Sequence, residues 1–445
     1  MKTLSPGRFK FSIFVFFLLS FFLMVCERST SPLLPASLHL SADYVAVTEV
    51  WLHLQTDHLP ENAAFEIRRG DSLIFRGALQ TADTTVTDTA LLPAHHYNYK
   101  ATLFKNDKPA AYSQPLQITT MDTTSHDFTW EITEFPSPYG SGLLRDVSVV
   151  NENNIWAVGE IYSDSTQPWL PYNAVHWDGQ EWELKKIYVD YRGQPNLAPL
   201  EGVFALSDGK IIFSSGLPYL PEGSHWKLYH LWDMGILGQT DGGVPHIWGT
   251  SLDNVYFAGR NGTIVHYDGA QWQRIESGTD LPIQDIWGGW NNKTRGWDII
   301  CVASRLDQNE GRELLKISKQ SVEKLQTEGL SWSLKAIWFI PGVIYYIGGD
   351  GLYPSRNLAN RWHRDLSFPF LYKHAIRGQA VNDVIVAGSF GLLSHFNGVS
   401  WRHYNGGHFP SSSAAYRGVA IHNNIVAAVG YYNLRNGFVV IGRRN

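Results

Sequence analysis

Residues 176–182 read HWDGQEW, and closely similar segments recur as HYDGAQW at 266–272 and HFNGVSW at 395–401. The distance from the first segment to the second fits two copies of a unit of about 43 residues, and the distance from the second to the third fits three copies. This length lies within the range of known repeats. A further tryptophan, Trp362, lies as far beyond Trp272 as Trp272 lies beyond Trp182. A period of about 20–50 residues predicts a solenoid, a propeller or another repeat architecture.

Each unit is predicted to contain four short strands. In the first unit they cover 145–150, 155–159, 174–177 and 182–187, and an Asp-Gly turn precedes the last one, where glycine supplies a positive φ. An apolar strand that ends in glycine marks successive units at Gly159, Gly216, Gly259, Gly348, Gly388 and Gly430. The apolar run 299–303 takes the place of such a strand in the unit between Gly259 and Gly348, so the units number seven.

The two ends of the repeat region favour a closed propeller over a solenoid. The last unit has only three strands, at 416–421, 425–430 and 437–443, while a lone strand at 128–133 precedes the first unit. We expect residues 128–135 to complete the last sheet, which would leave no open edge. Residues 126–445 are therefore predicted to form a seven-bladed β-propeller.

The repeats resemble those of secreted bacterial β-propellers and are loosely similar to kelch and sialidase-like blades. The sialidase Asp-box, Ser-x-Asp-x-Gly-x-Thr-Trp, is absent from the sequence. The resemblance therefore implies a propeller fold and does not imply sialidase activity.

Residues 36–122 resemble a fibronectin type III domain. The pattern Leu91-x-Pro93-x-x-x-Tyr97 is similar to the tyrosine corner of such domains. Residues 65–69 alternate apolar and polar side chains and are followed by a Gly-Asp turn, which is typical of a hairpin. The resemblance implies a seven-stranded β-sandwich that serves as a spacer or adhesion unit. The expected fold class is thus all-β, a sandwich followed by a propeller.

Residues 1–26 have the pattern of an export signal. Three basic residues precede an uncharged apolar run at 11–25, which is short for a membrane-spanning helix. The segment LMVC at 23–26 resembles a bacterial lipobox, which implies a lipid anchor on Cys26 and a tether at 27–35. The expected location is the bacterial cell envelope, at the outer membrane or cell surface; a cleaved signal, giving a periplasmic or secreted chain, and an uncleaved anchor remain alternatives.

The composition excludes several classes of protein. Apolar residues make up 44% and charged residues 17%, which indicates a globular chain rather than a disordered one. The formal net charge of −5 becomes −8 beyond residue 26, so no nucleic-acid partner is predicted. Cys26 and Cys301 cannot build a disulfide framework. No catalytic, metal or cofactor motif is found, although a calcium ion in an Asp-rich loop remains open.

The innermost strand of each blade starts beside the axis, on the face where propellers usually bind ligands. The expected starting residues are Arg145, Glu201, His246, Gln284, Lys335, Arg377 and Arg417. The dipeptides at 145–146, 377–378 and 417–418 are expected to share one register. A basic ring in an acidic chain predicts a site for a carboxylate, sulfate or phosphate, and structural ion pairs are the alternative.

Long aromatic loops are expected beside this ring. Trp169 lies in an insertion at 162–172 and Tyr191 in the connection that follows the first unit. Exposed aromatic rings stack on sugars or anchor protein partners, unless they pack over the blades. The candidate ligand-binding residues are Arg145, Glu201, Lys335, Arg377, Arg417, Trp169 and Tyr191.

Three functions are compatible with this pattern. The first is a non-enzymatic, membrane-anchored binding protein whose propeller face recognises a glycan or a protein. The second is a carbohydrate-active enzyme with paired carboxylates among Asp190, Glu201 and Asp307 at the axis. The third is a scaffold for outer-membrane assembly.

Overall fold

The computed structural model describes residues 37–306, 310–319, 321–405, 409 and 413–445. One short 3-10 helix, Arg260–Gly262, interrupts strands and loops in this part of the chain. None of its helices is long and apolar enough to cross a membrane. Cys26 and the tether at 27–35 lie outside the described residues.

Residues 38–119 form two antiparallel sheets around one apolar core. The strands are β1 (Leu38–Val45), β2 (Val50–Thr56), β3 (Ala63–Arg69), β4 (Ser72–Ala78), β5 (Asp83–Asp88), β6 (His96–Lys105), β7 (Lys108–Tyr112) and β8 (Leu116–Thr119). One sheet has the order β1-β2-β5, and the other has the order β4-β3-β6-β7, with β8 also paired to β6. Leu52, Ile67 and Leu103 meet in the core because the strands alternate apolar and polar residues. The hydroxyl of Tyr97 accepts a hydrogen bond from the Leu92 N–H at 2.8 Å.

Strand β9 (Phe128–Pro136) precedes the first of seven blade sheets in the described repeat region, which also contains a separate two-stranded sheet. Blade one contains β10 (Gly142–Asn151), β11 (Asn154–Ile161), β12 (Tyr172–Trp177) and β13 (Trp182–Lys185). A separate hairpin follows, β14 (Val189–Tyr191) and β15 (Gln194–Asn196). Blade two contains β16 (Gly202–Ala205), β17 (Ile211–Ser214), β18 (Pro218–Glu222) and β19 (His225–Leu228).

The next blades repeat this antiparallel order. Blade three contains β20 (His246–Ser251), β21 (Asn254–Ala258), β22 (Ile264–Tyr267) and β23 (Trp272–Ile275). Blade four contains β24 (Ile283–Asn291), β25 (Gly296–Ser304), β26 (Arg312–Ser318) and β27 (Ser321–Leu325). Blade five contains β28 (Leu334–Ile340), β29 (Ile344–Gly349) and β30 (Leu352–Ser355).

The last two blades bring the ring back to its start. Blade six contains β31 (Lys373–Ala380), β32 (Asp383–Gly388), β33 (Leu393–Phe396) and β34 (Trp401–His403). Blade seven contains β35 (Ala414–His422), β36 (Ile425–Tyr432), β37 (Asn436–Arg444) and, as its outer strand, β9. Ile132 of β9 pairs with Val440 of β37, so the two ends of the repeat region meet in one sheet. The innermost strands β10, β16, β20, β24, β28, β31 and β35 contact one another in a closed ring.

Blade five departs from the expected pattern. Its sheet has three strands among the described residues, and Trp362 lies in the irregular segment beyond β30. Trp362 is nevertheless buried, and its backbone N–H donates to Glu328 O at 2.8 Å. Trp362 therefore falls at the repeat spacing and is buried, but the fourth strand expected of each unit does not form around it.

The glycines that mark the units have a common steric cause. A Cβ on Gly159 would lie 1.9 Å from the Leu143 carbonyl oxygen, and one on Gly430 would lie 2.0 Å from the Ala415 carbonyl oxygen. Side chains are excluded there because the innermost strand passes too close. In blade five this position is Gly349 rather than Gly348, since it is Gly349 that faces the Ser333 carbonyl at 1.9 Å.

The repeated histidines take part in packing within their blades. His176 Nε2 lies 3.0 Å from Asn154 Oδ1, and His266 Nε2 lies 2.9 Å from Asn254 Oδ1. Their rings stack on Trp156 and on Tyr256. Each histidine therefore ties the third strand of its blade to the second.

The two faces of the propeller differ in what they carry. We call the face with the loops between second and third strands and the connections between blades the top face, and the opposite face, with the other turns, the bottom face. The N-terminal sheets contact the bottom face: Lys293 Nζ lies 3.6 Å from Asp43, Arg356 pairs with Glu49, and Asn382 donates to Asp122 O at 2.8 Å. The top face is free of such contacts in the described residues.

Candidate functional site

Five innermost strands carry a β-bulge near their top ends. The ladder shifts register between Leu144 and Asp146 in blade one, and shifts of the same kind occur in blades four, five, six and seven. A bulge inserts one extra residue and re-aims its side chain. The extra residues are Arg145, Gln284, Lys335, His374 and Arg417.

All five bulge residues line one cavity of about 480 Å³ along the propeller axis. We call them the axial collar. They come from five blades that follow one another around the ring, four to seven and then one. Glu201, His246 and Arg260 complete the wall on the side of blades two and three. The axial position of Arg145, Glu201, Lys335 and Arg417 was therefore predictable from the sequence.

The expected register of blade six is wrong. His374, not Arg377, occupies the bulge of β31, and Arg377 lies further along the strand. A spacing signal was available, because Arg145, Lys335 and His374 each precede, by the same interval, the glycine of their blade that faces the innermost strand. Arg377 lies closer to Gly388 and does not fit this interval.

Arg377 lines the cavity but is occupied by an ion pair. Its Nη1 and Nη2 atoms each donate to an Asp285 carboxylate oxygen at 2.9 Å. The pair spans blade five, where the Ile337 N–H donates to Asp285 at 3.0 Å and Arg377 donates to the Ile337 carbonyl oxygen at 3.3 Å. The guanidinium also lies 5.0 Å from the centre of the Trp287 ring. Arg377 is therefore part of a structural ion pair, which was the alternative to a ligand-binding role.

Asp146 is the counterpart of Asp285 in blade one. Its carboxylate accepts hydrogen bonds from the N–H groups of Val147 at 2.9 Å and Val203 at 3.0 Å, so it links blade one to blade two. No cation lies within ion-pair distance of it among the described residues. Burial raises the pKa of Asp146 to about 6, although the Val203 N–H opposes this shift.

Two other cations of the wall are also compensated. Arg260 Nη2 donates to both oxygens of Glu201, at 2.9 and 2.7 Å. Arg145 Nη2 donates to Glu160 at 2.9 Å, while its Nε is buried without a hydrogen-bond partner among the described residues. Glu201, a candidate ligand-binding residue, is thus engaged by Arg260.

Lys335 and Arg417 differ from these pairs. Within the described part of the chain, neither has a carboxylate within 4 Å. Lys335 Nζ donates to Gln284 Oε1 at 2.9 Å, and Arg417 Nη1 lies 3.3 Å from His374 Nδ1. Since arginine only donates, His374 Nδ1 is the acceptor, and its Nε2–H donates to Ser389 Oγ at 2.9 Å.

The pKa values reflect this crowding of positive charge. Burial and the neighbouring Arg417 lower the pKa of Lys335 to about 8. Burial, together with Arg417 and Lys335, lowers the pKa of His374 to about 3. The imidazole is therefore neutral at physiological pH, and the two positive charges of the collar on Lys335 and Arg417 have no ion-pair partner among the described residues.

Trp169 and Tyr191 do not line the cavity. Trp169 is 69% exposed in the loop between β11 and β12 on the top face. Tyr191 stacks on His230 with ring centres 4.7 Å apart, and the Arg192 guanidinium lies 5.0 Å from the Tyr191 ring centre. The structure brings Arg145, Glu201, Lys335, Arg377 and Arg417 together and leaves these two aromatic residues outside that group.

The carboxylates considered for an enzyme do not converge among the described residues. Glu201 is held by Arg260, Asp190 lies in β14 away from the cavity wall, and Asp307 is outside the described residues. Nor do three or more His, Cys, Asp or Glu side chains come together there in a metal-binding arrangement. The described geometry therefore gathers basic side chains at the axis and does not bring the three proposed carboxylates together.

Comparison with solved structures identifies the architecture. Similar structures include "YCF48 bound to D1 peptide", with a TM-score of 0.50 and 14% identity over 73% of this chain and 98% of that one. The WD40 β-propeller domain of Doa1 has a TM-score of 0.50 and 8% identity over 72% and 98%. YCF48 from Cyanidioschyzon merolae has a TM-score of 0.46 and 13% identity over 70% and 98%.

No protein-family model and no curated protein matches the chain. The solved structures nevertheless confirm an all-β chain whose repeat region is a β-propeller, with neighbours of the WD40 and YCF48 kind.

The lowered pKa of His374 predicts a dependence of stability on pH. A histidine in an unfolded chain has a pKa of about 6.5. Below that pH the unfolded chain therefore binds a proton that the folded chain does not. The free energy of unfolding should therefore fall as the pH decreases from about 6.5 towards about 3. His374→Gln keeps a donor for Ser389 and should show a smaller fall in urea denaturation between pH 7 and pH 4. Parallel pH curves for the two proteins would contradict this assignment.

Proposed function

We propose that the chain is a non-enzymatic, extracytoplasmic binding protein that recognises a protein partner with the top face of its propeller. The observation that carries this proposal is the uneven distribution of exposed apolar side chains. Of twelve large apolar side chains exposed in the described propeller, nine lie on the top face. They are Tyr139, Trp169, Tyr188, Met234, Trp332, Leu366, Phe370, Phe390 and Leu434.

We call these nine residues the apolar rim; they lie on the same face as the ends of the innermost strands that carry the axial collar. Leu366 is 82% exposed and Phe390 is 64% exposed, which is unusual for side chains without a partner. Large exposed apolar groups around a polar centre are typical of protein interaction surfaces. Trp290, Trp297 and Val399 are the large exposed apolar side chains of the described bottom face.

The position of the N-terminal sheets supports the same assignment. They contact the bottom face through Asp43, Glu49 and Asp122, so the top face points away from them. One structural neighbour is described as bound to a peptide. That peptide belongs to the neighbour, but it supports our choice of a protein partner over a glycan for a propeller of this shape.

The remaining parts of the chain fit a tethered receptor. We propose that residues 1–26 are a lipoprotein signal, that Cys26 is lipidated, and that the sandwich at 38–119 is a fibronectin type III module acting as a spacer. The two-sheet arrangement and the hydrogen bond from Leu92 N–H to the Tyr97 hydroxyl support the module assignment. No separate observation in the described residues favours a glycan ligand, an enzyme or an assembly scaffold.

Site-specific photo-crosslinking in the producing organism tests the proposed face. A photoreactive phenylalanine analogue is placed at Phe390 or Leu434 on the top face, and at Val399 on the bottom face as the matched control. We expect one discrete crosslinked protein from both top positions and none from Val399. Equal crosslinking from Val399, or no crosslink from either top position, would contradict the proposal.

A further inference from the structure

The charge along the axial cavity is unevenly placed. Arg260 is balanced by Glu201, Arg377 by Asp285 and Arg145 by Glu160, each across 2.7–2.9 Å. The two remaining cations, Lys335 and Arg417, come from blades five and seven, on either side of His374 of blade six. The cavity therefore has a cationic arc on one side, formed by Lys335 and Arg417, with ion pairs and the unpaired carboxylate of Asp146 elsewhere in its wall.

Both cations keep unused hydrogen-bond donors. Lys335 has one described partner, the Gln284 amide oxygen, and Arg417 has one, His374 Nδ1. Lysine and arginine carry three and five N–H donors respectively, so most of them remain available to a ligand. The buried Nε of Arg145, in the next blade, is a further donor without a partner among the described residues.

The cationic arc adjoins the apolar rim. His374 donates to Ser389, and the next residue, Phe390, belongs to the rim. The Gly391 N–H donates to the Ala414 carbonyl oxygen at 3.0 Å, close before Arg417 in the chain. A ligand that reaches the two cations from the top face therefore passes beside an exposed aromatic ring.

We infer that the collar binds a carboxylate of the protein partner between Lys335 and Arg417, with apolar residues next to that carboxylate resting on the rim at Phe390. This inference rests on the proposed function and specifies its ligand. The carboxylate is the chain end of the partner or an Asp or Glu side chain. Burial in the cavity strengthens the charge-assisted hydrogen bonds that two cations offer it.

Peptide binding to the full chain distinguishes the two sources. The probes are the fluorescent hexapeptide Ala-Leu-Phe-Ala-Leu-Phe with a free carboxyl terminus, its C-terminal amide, and that amide with Asp as the fourth residue. We expect the free acid or the Asp peptide to bind about tenfold or more tightly than the plain amide. The probe that gains affinity identifies the source of the carboxylate. Equal affinity of all three would overturn the inference.

Two double variants assign the effect to residues. Lys335→Met with Arg417→Met removes the uncompensated charges and should weaken binding of the carboxylate peptide about tenfold or more. Glu131→Gln with Arg443→Met removes an ion pair of blade seven that lies outside the cavity, and should change affinity less than about twofold. Unchanged thermal unfolding of each variant shows that its fold is retained.

The result also separates this inference from the proposed function. If the Lys335 and Arg417 variant binds the peptide as well as the unmodified protein does, the carboxylate site is wrong. The top face remains a protein-binding face in that case, provided that the protein with an unmodified collar crosslinks from Phe390 and Leu434. Absence of those crosslinks in that protein overturns the proposed function itself.

Discussion

Asp285→Asn is expected to lower the free energy of unfolding by about 3–5 kcal/mol, because it leaves the buried Arg377 without its carboxylate. Asp285 is 7% exposed and accepts two hydrogen bonds from Arg377 and two from backbone N–H groups. An asparagine keeps the shape but offers one acceptor oxygen and no charge. The interaction spans blades four, five and six, so its loss should destabilise the whole ring of blades.

Asp146→Asn is the matched control for this prediction. Asp146 accepts the same kind of backbone hydrogen bonds in blade one, from Val147 and Val203, but has no ion pair within the described residues. Its loss should therefore cost no more than about 1–2 kcal/mol, because burial already disfavours the ionised carboxylate. Urea denaturation at pH 7 measures both changes. Equal losses would mean that the Arg377 pair contributes nothing beyond the backbone hydrogen bonds.

Cys26→Ser is expected to abolish membrane attachment, because the proposed anchor is a lipid bonded to that sulfur. Radiolabelled palmitate should enter the unmodified chain and not the variant, and cell fractionation should follow the same division. Ser29→Ala, shortly after the cysteine, is the control and should leave labelling unchanged. An unlabelled wild-type chain, or a Cys26→Ser chain that still takes up label, would contradict the lipoprotein assignment.

The repeat architecture was predictable because its markers are local. The Asp-Gly turns at 178–179 and 268–269 place glycine at a positive φ, and Gly159 and Gly430 sit where a carbonyl oxygen leaves no room for a Cβ. Each requirement depends on one turn or one pair of strands, so it appears at a fixed spacing. Blade five was harder to predict, because the segment around Trp362 packs without forming a strand.

The cationic arc was only partly predictable. Arg145, Lys335 and Arg417 were placed correctly at the axis, but the bulge in β31 moves His374 into the collar in place of Arg377. The pairing of Arg377 with Asp285 joins residues 92 positions apart. Which cations remain uncompensated depends on such long-range contacts, and no local pattern in the sequence encodes them.

We propose that the propeller binds its partner at the collar and the top face. This binding mode is tested by hydrogen–deuterium exchange of the full chain, with and without a saturating carboxylate peptide. We expect slower exchange at 334–337 and 416–419, the tops of β28 and β35, and in the loop around Phe390. Slower exchange confined to 38–119 or to the bottom turns around Lys293 and Val399 would contradict it.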